Sequence, residues 1–231
     1  MDLYKDYLGN VGFIQIIKRG TAEILEESDS GIFAYDNLSD VYMLKNDNFS
    51  EGASWLEKHK SRDYEIMVVY GDELTDFAKE LCGFEGAEKC YQGVWTKPEP
   101  SERKNILKFR PATESDIPFL KEHYEDWYDD AELKTIERGE LFIALLPDNP
   151  KVKVGFIGMH LEGSTGLLFV LPEYRNRGYA AEMESFMCEW VMSQGLISYG
   201  HVKVWNEKSM NLQRKVGVEF WDGTLTWLFK M

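Results

Sequence analysis

Apolar and polar positions along the second half of the chain follow a pattern typical of a mixed α/β domain. Short runs rich in β-branched and aromatic residues predict strands, and longer segments with an apolar residue every three or four positions predict helices. The predicted strands cover residues 106–110, 141–146, 153–161, 166–171, 199–205 and 225–229. The predicted helices cover residues 117–127, 131–138, 179–194 and 207–216. This order predicts a mixed sheet with an antiparallel start and one parallel crossover.

Local signals mark where two of these helices begin and end. Thr113 with Asp116 three positions later resembles a capping box at the start of the first helix. Gly217 follows the helix over residues 207–216 and is expected to stop it. The first helix has one apolar face, made by Ile117, Leu120, Tyr124 and Trp127.

The first half of the chain repeats the end of this pattern. A strand over residues 41–44 and a helix over residues 49–56 precede the repeated elements. The same order of elements at similar spacing predicts an internal duplication. The first copy has residues 45–48 (KNDN) after its strand, where no basic residue is followed by a glycine. The matched segments are 64–70 with 199–205, 74–81 with 207–216, and 91–95 with 225–229.

A polar connector separates the two halves. Residues 96–104 carry Pro98 and Pro100 and few apolar side chains, a composition typical of an extended linker. The chain of 231 residues is long enough for one large domain or two unequal ones. We therefore predict domains over residues 1–103 and 104–231, with a long loop inside a single domain as the alternative.

Composition and charge narrow the class of protein. A hydrophobic fraction of 44% supplies a packed core, and an excess of 40 acidic over 26 basic residues, a net charge of −14, argues against nucleic-acid binding. No apolar stretch long enough to span a membrane is present, and the acidic residues 1–6 do not resemble a secretory signal. The 3 cysteines are too few and too scattered for a disulfide framework or a zinc site. We expect a reduced, cytoplasmic protein without metal, a monomer or a homodimer.

The chemistry is expected in the segment Pro172–Ala180 (PEYRNRGYA), between a predicted strand and the longest predicted helix. Such a junction directs unpaired backbone N–H groups and the positive end of the helix dipole at one place. Gly178 lets the backbone approach a bulky anion, while Arg175 and Arg177 add positive charge. The segment thus has the features of a pyrophosphate site, although neither the Walker loop nor the dinucleotide fingerprint is present. An ordinary solvated turn is the alternative.

The run over residues 168–180 (LFVLPEYRNRGYA) resembles the acetyl-CoA signature of the GNAT acyltransferase superfamily. The downstream residues Asn206 and Ser209, followed by Leu212, Lys215 and Gly217, resemble the same family. The resemblance covers about residues 106–231 and implies the GNAT fold. The first half is similar to a truncated, degenerate copy of this domain, an arrangement resembling the glycine N-acyltransferase branch.

The resemblance also implies residues that would contact the coenzyme. Backbone groups on the strand before the signature would pair with pantetheine, and backbone amides of the loop would hold the pyrophosphate. Two further side chains would lie along the pantetheine arm. The strand residues are Leu168, Phe169 and Val170; the loop residues are Arg175, Asn176, Arg177, Gly178, Tyr179 and Ala180; the last two are Asn206 and Ser209.

Acyl transfer to an amine needs a base, because amines with a pKa of ~8 to ~10.4 are mostly protonated at neutral pH. The candidates are Glu162, His160 and His201. An exposed hairpin acid is the ordinary interpretation of Glu162, and half-buried side chains are the ordinary interpretation of the histidines. In glycine-acylating relatives a glutamate base stands near the position of Leu167, which weakens glycine as the acceptor.

The tetrahedral intermediate needs a donor for its oxyanion, and the leaving thiolate benefits from an acid. The Val170 amide is the expected oxyanion donor. Family members often place a tyrosine acid where this chain has Gln213, and an amide cannot donate a proton at neutral pH. Three alternatives to this acid remain open: a water molecule, Tyr199, or release of the thiolate without protonation.

These observations predict a GNAT-type N-acyltransferase that uses acetyl-CoA or another short acyl-CoA. The acceptor is expected to be a primary amine, on a small molecule or a peptide, that attacks directly in a ternary complex. The first half is expected to pack against the acceptor cleft and to bind no CoA of its own. A non-catalytic acyl-CoA sensor is the alternative from another class, and a purely structural pairing domain is a third interpretation.

Overall fold

The computed structural model describes residues 2–124 and 129–230, so the expected helical position Trp127 lies outside the described residues. The helices are α1 (Tyr7–Arg19), α2 (Phe49–His59), α3 (Asp72–Cys82), α4 (Ile117–His123), α5 (Asp129–Glu137), α6 (Tyr179–Ser193) and α7 (Glu207–Val216). The strands are β1 (Ala22–Glu27), β2 (Gly31–Asp36), β3 (Val41–Asn46), β4 (Ile66–Tyr70), β5 (Gly86–Val94), β6 (Lys108–Pro111), β7 (Leu141–Leu146), β8 (Asn149–Met159), β9 (Thr165–Val170), β10 (Tyr199–Lys203), β11 (Glu219–Phe220) and β12 (Leu225–Phe229). The predicted mixed α/β fold is confirmed.

The chain forms two compact units, and both are discontinuous in sequence. The first unit contains Met1–Val94, His201–Glu207 and Phe220–Met231. The second unit contains Trp95–Gly200 and Lys208–Glu219. The domain boundary near residue 104 stays a prediction.

The sheet of the first unit has the strand order β1-β2-β3-β4-β12-β5-β10. Strands β3 and β4 are parallel, with Val41 opposite Ile66, and α2 makes the crossover between them. The last strand, β12, lies antiparallel between β4 and β5. We expected residues 225–229 to complete the sheet of the second half. A hydrophobic pattern identifies a strand but not its distant pairing partner, which explains the difference.

Two hydrophobic clusters build the core of the first unit. One contains Leu56 of α2 and Leu74 of α3. The other contains Phe13 and Ile16 of α1, packed with Val68 of β4. Each fully buried side chain of this size contributes about 1.5–3 kcal/mol through removal from water.

The sheet of the second unit is the antiparallel meander β6-β7-β8-β9. One cluster packs Met183 and Met187 of α6 with β7 and β8. Another packs Leu120 of α4 and Ile136 of α5 with Ile143 of β7. Because the described pairings in this sheet are all antiparallel, the parallel crossover expected in the second half is instead found in the first unit, at β3 and β4. Strand β9 is an edge strand of its sheet, which leaves its outer side without a β partner there.

The predicted capping box is present and forms part of a buried ion cluster. The Asp116 carboxylate accepts from the Thr113 amide (2.9 Å), from the Arg110 guanidinium (2.7 and 2.8 Å) and from Lys153 (2.8 Å). Burial raises the pKa of Asp116, but these hydrogen bonds outweigh it and hold the pKa well below its ordinary value. The cluster ties β6, the start of α4 and β8 together.

The end of the connector is bound to α6 within the second unit. The buried Glu182 carboxylate accepts from the Arg103 guanidinium (3.2 Å) and from the Lys104 amide (2.8 Å). The Arg103 guanidinium also lies 5.1 Å from the ring centroid of Phe186. These contacts fix the first turns of α6, which begins beside the segment predicted to bind an anion.

Candidate functional site

Residues 172–178, which we call the bend, join β9 to α6. A single turn of 3-10 helix covers Pro172–Tyr174, and the Arg175 amide donates to the Pro172 carbonyl (3.3 Å). Asn176 and Gly178 then adopt left-handed backbone conformations, with φ of 62° and 82°. Asparagine and glycine are the residues that tolerate this region best, so the local sequence specifies the shape of the bend.

The start of α6 is open to a ligand. Gly178 is the N-cap residue and supplies no side-chain cap. The hydrogen bond from the Glu182 amide to the Gly178 carbonyl (3.1 Å) closes the first turn, so the amides of Tyr179, Ala180 and Ala181 precede the first helical bond. Unpaired amides and the helix dipole favour an anion at this end.

Both arginines of the bend are exposed and fold back onto the bend itself. Arg175 Nε donates to the Val170 carbonyl (2.9 Å), and its guanidinium lies 5.5 Å from the Phe169 ring centroid. Arg177 donates to the Glu173 carbonyl (2.9 Å) through Nη2. The arginines therefore hold the bend in shape while they keep two positive charges beside the open helix start.

Strand β9 carries a β-bulge in the middle of the signature. Phe156 of β8 pairs with Phe169, whereas Gly158 pairs with Gly166, so β9 has one extra residue between these pairs. Leu167 absorbs the irregularity with a φ of 52°. A bulge takes backbone groups out of the ladder and redirects them. The bulge thus lies directly before Leu168, Phe169 and Val170, the strand residues that the resemblance assigns to pantetheine.

Glu162 is buried, so its interpretation as an exposed hairpin acid is wrong. The residue is 3% exposed, and its carboxylate accepts from the Ser164 hydroxyl. The turn that carries it is closed by hydrogen bonds from the His160 amide to the Ser164 carbonyl (2.8 Å) and from the Gly163 amide to the His160 carbonyl (2.9 Å). Among the ion pairs of the described residues, none involves Glu162. A buried carboxylate without a cation is costly and is typical of functional sites.

Tyr199 and His160 lie near the same turn. Tyr199 is 2% exposed, and its hydroxyl donates to the Glu162 carbonyl (3.4 Å). The half-buried His160 ring lies over Gly166, where a built Cβ would be 2.3 Å from Nε2. The structure therefore brings Glu162, Tyr199 and His160 together at the start of β9.

His201 belongs to the first unit and uses both ring nitrogens there. The Trp227 indole donates to Nδ1 (3.2 Å), and Nε2 lies 3.1 Å from the Gln92 side-chain carbonyl. Because an indole N–H only donates, Nδ1 accepts and Nε2 carries the proton, which describes a neutral imidazole. Its lone pair is engaged, so this arrangement does not favour His201 as a base.

Asn206 and Ser209 lie around the start of α7. The Asn206 amide donates to the Lys203 carbonyl (2.8 Å) in the turn after β10. Ser209 is in the first turn of α7 and belongs to the second unit, whereas Asn206 belongs to the first.

His123 is a candidate that the sequence analysis did not identify. Its ring stacks on Phe169 with centroids 5.2 Å apart and an interplanar angle of 6°, and it meets the edge of Phe119 at 4.9 Å. A histidine at the end of a short amphipathic helix gives no signal in one sequence. Only the packing of α4 on β9 places this ring next to the signature strand.

In the part of the chain that the structure describes, no helix is both long and apolar enough to cross a membrane. No group of three or more His, Cys, Asp or Glu side chains is arranged there to hold a metal ion.

Several solved structures have a similar fold. A Drosophila protein matches with a TM-score of 0.67 and 13% identity, over 87% of this chain and 74% of that one. A GCN5-related N-acetyltransferase from Kribbella flavida matches with a TM-score of 0.57 and 9% identity, over 97% of this chain and 95% of that one. A GCN5-related N-acetyltransferase-like protein from Streptococcus suis matches with a TM-score of 0.55 and 14% identity, over 99% and 96%. At these identities the likeness concerns the fold alone.

Comparison by sequence gives the family. A search of curated proteins found no significant match. The family model described as acetyltransferase (GNAT) family matches residues 104–218, a range that includes β9, the bend, α6 and α7. Residues 104–218 therefore form a domain of the GNAT acetyltransferase family.

Proposed function

We propose that the protein is an N-acyltransferase that moves an acetyl or other short acyl group from acyl-CoA to a primary amine. The observation that carries the proposal is the uncapped start of α6 beside a bend with two left-handed residues and two arginines. The diphosphate of CoA is the part of the substrate that this arrangement fits. A bound diphosphate needs several N–H donors at one place, positive charge nearby, and no side chain that blocks its approach to the backbone.

The equivalent place in the first half supports binding of one CoA per chain. The N-cap residue of helix α2 is Asn48, whose side chain accepts from the Glu51 amide (3.3 Å). The Glu51 carboxylate, in the first turn, accepts from Asn46 Nδ2 (3.0 Å) and from the Ser28 hydroxyl (2.8 Å). The start of α2 is thus capped by its own side chain and carries a carboxylate that would repel phosphate. The start of α6 lacks such a cap.

The edge strand β9 would hold the pantetheine arm and the thioester. Its outer side has no partner in its own sheet, so backbone groups of Leu168, Phe169 and Val170 are candidates to pair with amide groups of pantetheine. In this proposal the Val170 amide donates to the thioester oxygen as negative charge develops there. The Val170 carbonyl is already engaged by Arg175 (2.9 Å), which fixes the orientation of the next peptide, between Val170 and Leu171.

For the general base we propose Glu162. Its carboxylate is buried, is close to the start of β9 and contacts the Ser164 hydroxyl rather than a cation. A carboxylate in such surroundings can take a proton from an ammonium acceptor directly or through water. Tyr199, whose hydroxyl donates to the backbone of Glu162, would position the turn that carries this base.

Direct attack by the amine is favoured over an acyl-enzyme intermediate. The described cysteines are free, and burial raises the pKa of Cys82 to about 11 and of Cys90 to about 12. Burial also raises the pKa of Cys188. Because the thiolate is the nucleophilic form, these protonated thiols are poor nucleophiles. The net charge of −14 favours a cationic acceptor through its long-range field.

A second candidate function is an acyl-CoA sensor that binds without turnover. Gln213, in place of the tyrosine acid that the resemblance leads one to expect, favours this candidate because an amide supplies no proton. Thiol release from acetyl-CoA, measured over a panel of monoamines, polyamines, amino acids and lysine peptides, separates the two functions. The enzyme proposal expects amine-dependent thiol release. Tight CoA binding with no release above hydrolysis would support the sensor and refute the enzyme.

A further inference from the structure

Both backbone groups of Val170 face the free edge of β9. The Leu171 amide donates to the Val154 carbonyl of β8 (2.9 Å), so the Val170 carbonyl, on the opposite side of the same trans peptide, points away from β8. The Phe169 carbonyl lies against Gly155 of β8, so the Val170 amide also points away from β8. Val170 therefore offers one donor and one acceptor to a partner on this edge, as a strand does to an extended amide chain.

The acceptor of this pair is occupied by the side chain of Arg175. Arg175 Nε donates to the Val170 carbonyl (2.9 Å) from the edge that pantetheine would approach. The Arg175 guanidinium also lies over the Phe169 ring, 5.5 Å from its centroid. The Phe169 ring is itself held between other rings, since Phe156 and His123 lie nearly parallel to it with centroids 5.5 and 5.2 Å away. The exposed Arg175 side chain thus has a defined position on the edge of β9.

A pantetheine amide that pairs with Val170 would compete with Arg175. Both donors would approach one carbonyl oxygen from the same side, the side away from β8. Displacement of the arginine breaks its hydrogen bond to Val170 and its contact with the Phe169 ring. An uncharged pantetheine chain offers the displaced guanidinium no anion in return, so its binding is weakened by the cost of this displacement.

The diphosphate of CoA supplies the anion that pantetheine lacks. Arg175 stands three positions before Gly178, in the bend assigned above to the diphosphate. A guanidinium binds phosphate oxygens through two parallel charged hydrogen bonds, which are stronger than one bond to a neutral carbonyl. A diphosphate at the bend would therefore draw Arg175 away from Val170 and free the carbonyl for the pantetheine arm of the same molecule.

We propose that Arg175 is a specificity-determining residue that favours acyl-CoA over thioesters of pantetheine without phosphate. This inference rests on the proposed function, because it requires CoA at the bend. The arginine exchanges one partner for another, the Val170 carbonyl for the diphosphate. CoA thus makes its own pantetheine site accessible through its phosphates, whereas a ligand without phosphates must break the hydrogen bond of Arg175 without compensation.

Arg175→Ala is the informative variant, with CoA and reduced pantetheine as the two probes. In calorimetric titrations of the full chain, pantetheine should bind about three- to tenfold more tightly to the variant than to the wild type, because an exposed hydrogen bond no longer has to be broken. CoA should bind about tenfold less tightly, because its diphosphate loses a charged donor. A purely structural role of Arg175 would weaken the binding of both probes.

Arg177→Ala is the matched control. Arg177 is also exposed and also donates to a backbone carbonyl, but this carbonyl belongs to Glu173 in the bend (2.9 Å) and not to β9. Its loss should weaken the binding of CoA and leave the binding of pantetheine unchanged. If pantetheine binds no more tightly to Arg175→Ala than to the wild type or to Arg177→Ala, the proposal is overturned.

An NMR measurement decides the question if pantetheine binds too weakly to titrate. The Nε–H signal of Arg175, assigned by its absence in Arg175→Ala, should shift when the wild type is saturated with CoA, because its acceptor changes from carbonyl to phosphate. An unshifted signal in a chain that binds CoA overturns the exchange alone. A chain that binds no CoA refutes both this inference and the proposed function. Neither readout needs turnover, so binding without acyl transfer would refute the proposed enzyme and leave this inference intact.

Discussion

Substitution of Gly178 by alanine separates ligand binding from folding, because the fold has room for the added methyl group. Its Cβ would meet only Ile106 Cδ1, at 4.0 Å. The backbone φ of 82° is unfavourable for alanine and costs about 1–2 kcal/mol. For a chain of this length, each kcal/mol lowers the melting temperature by about 2–4 °C. Gly178→Ala should therefore remain folded and melt several degrees below the wild type.

The effect on the coenzyme should be much larger. The methyl group would stand where the diphosphate approaches the amides of the bend and of α6. Each hydrogen bond to a charged phosphate oxygen is worth about 1.5–3 kcal/mol. Loss of two such bonds would weaken binding by about 3–6 kcal/mol, which is at least a hundredfold in Kd.

Gly195→Ala is the matched control for backbone strain. Gly195 follows the other end of α6, has a φ of 72° and has no atom within 4 Å of a built Cβ. Calorimetric titration with CoA and thermal melts of both variants give the comparison. The two variants should lose similar stability, and only Gly178→Ala should lose affinity for CoA. Equal affinity in the two variants would refute the assignment of the bend to the diphosphate.

Three further measurements test the proposed base, the ion cluster around Asp116 and the number of CoA sites. Glu162→Gln should lower kcat at least a hundredfold with an unchanged Kd for CoA, since the base is lost and the bend is intact; an active variant would exclude Glu162 as the base. Asp116→Asn should cost about 1–3 kcal/mol in denaturant unfolding at neutral pH, because it removes charged hydrogen bonds from Arg110 and Lys153, whose partly exposed cations water can then solvate. Since folding lowers the pKa of Asp116, its contribution should be complete above the ordinary value of 3.8 and decline as the pH falls below it, and a stability independent of pH in this range would contradict the cluster. Equilibrium dialysis should give one CoA per chain, and a value of two would show that α2 also binds.

The bend could be predicted from the sequence because its determinants are local. Asn176, Arg177 and Gly178 specify a left-handed turn and a basic helix start within a few positions, and the structure has this turn. The glycine stops of α3 and α7 are local for the same reason, with φ values of 72° at Gly83 and 103° at Gly217.

Helix α1 is not evident in the sequence pattern because polar residues interrupt its buried surface. Asn10 and Gln15 are both 0% exposed, as are Phe13 and Ile16. The Asn10 side chain donates to the Leu3 carbonyl (3.0 Å) and accepts from Lys45 (3.0 Å). These tertiary hydrogen bonds allow a polar side chain to be buried at a position where the sequence pattern indicates exposure to solvent.

The remaining features of the site depend on contacts between distant segments. The burial of Glu162 requires the turn before β9 to fold inward over Tyr199, which is 37 positions later. The neutral state of His201 depends on Trp227 of the last strand. No local pattern encodes which of these side chains meet, so hydrophobic spacing and motifs alone left the base and the acid open.

An amide NMR titration tests the central claim most directly. In the ¹H–¹⁵N spectrum of the full chain, CoA should shift the amides of Arg177, Gly178, Tyr179 and Ala180 strongly, since these groups would donate to the diphosphate. The amides at the start of α2, around Asn48, should remain unchanged. If saturation with CoA leaves the amide signals of the bend unshifted, or shifts only those of α2, the bend does not bind the diphosphate.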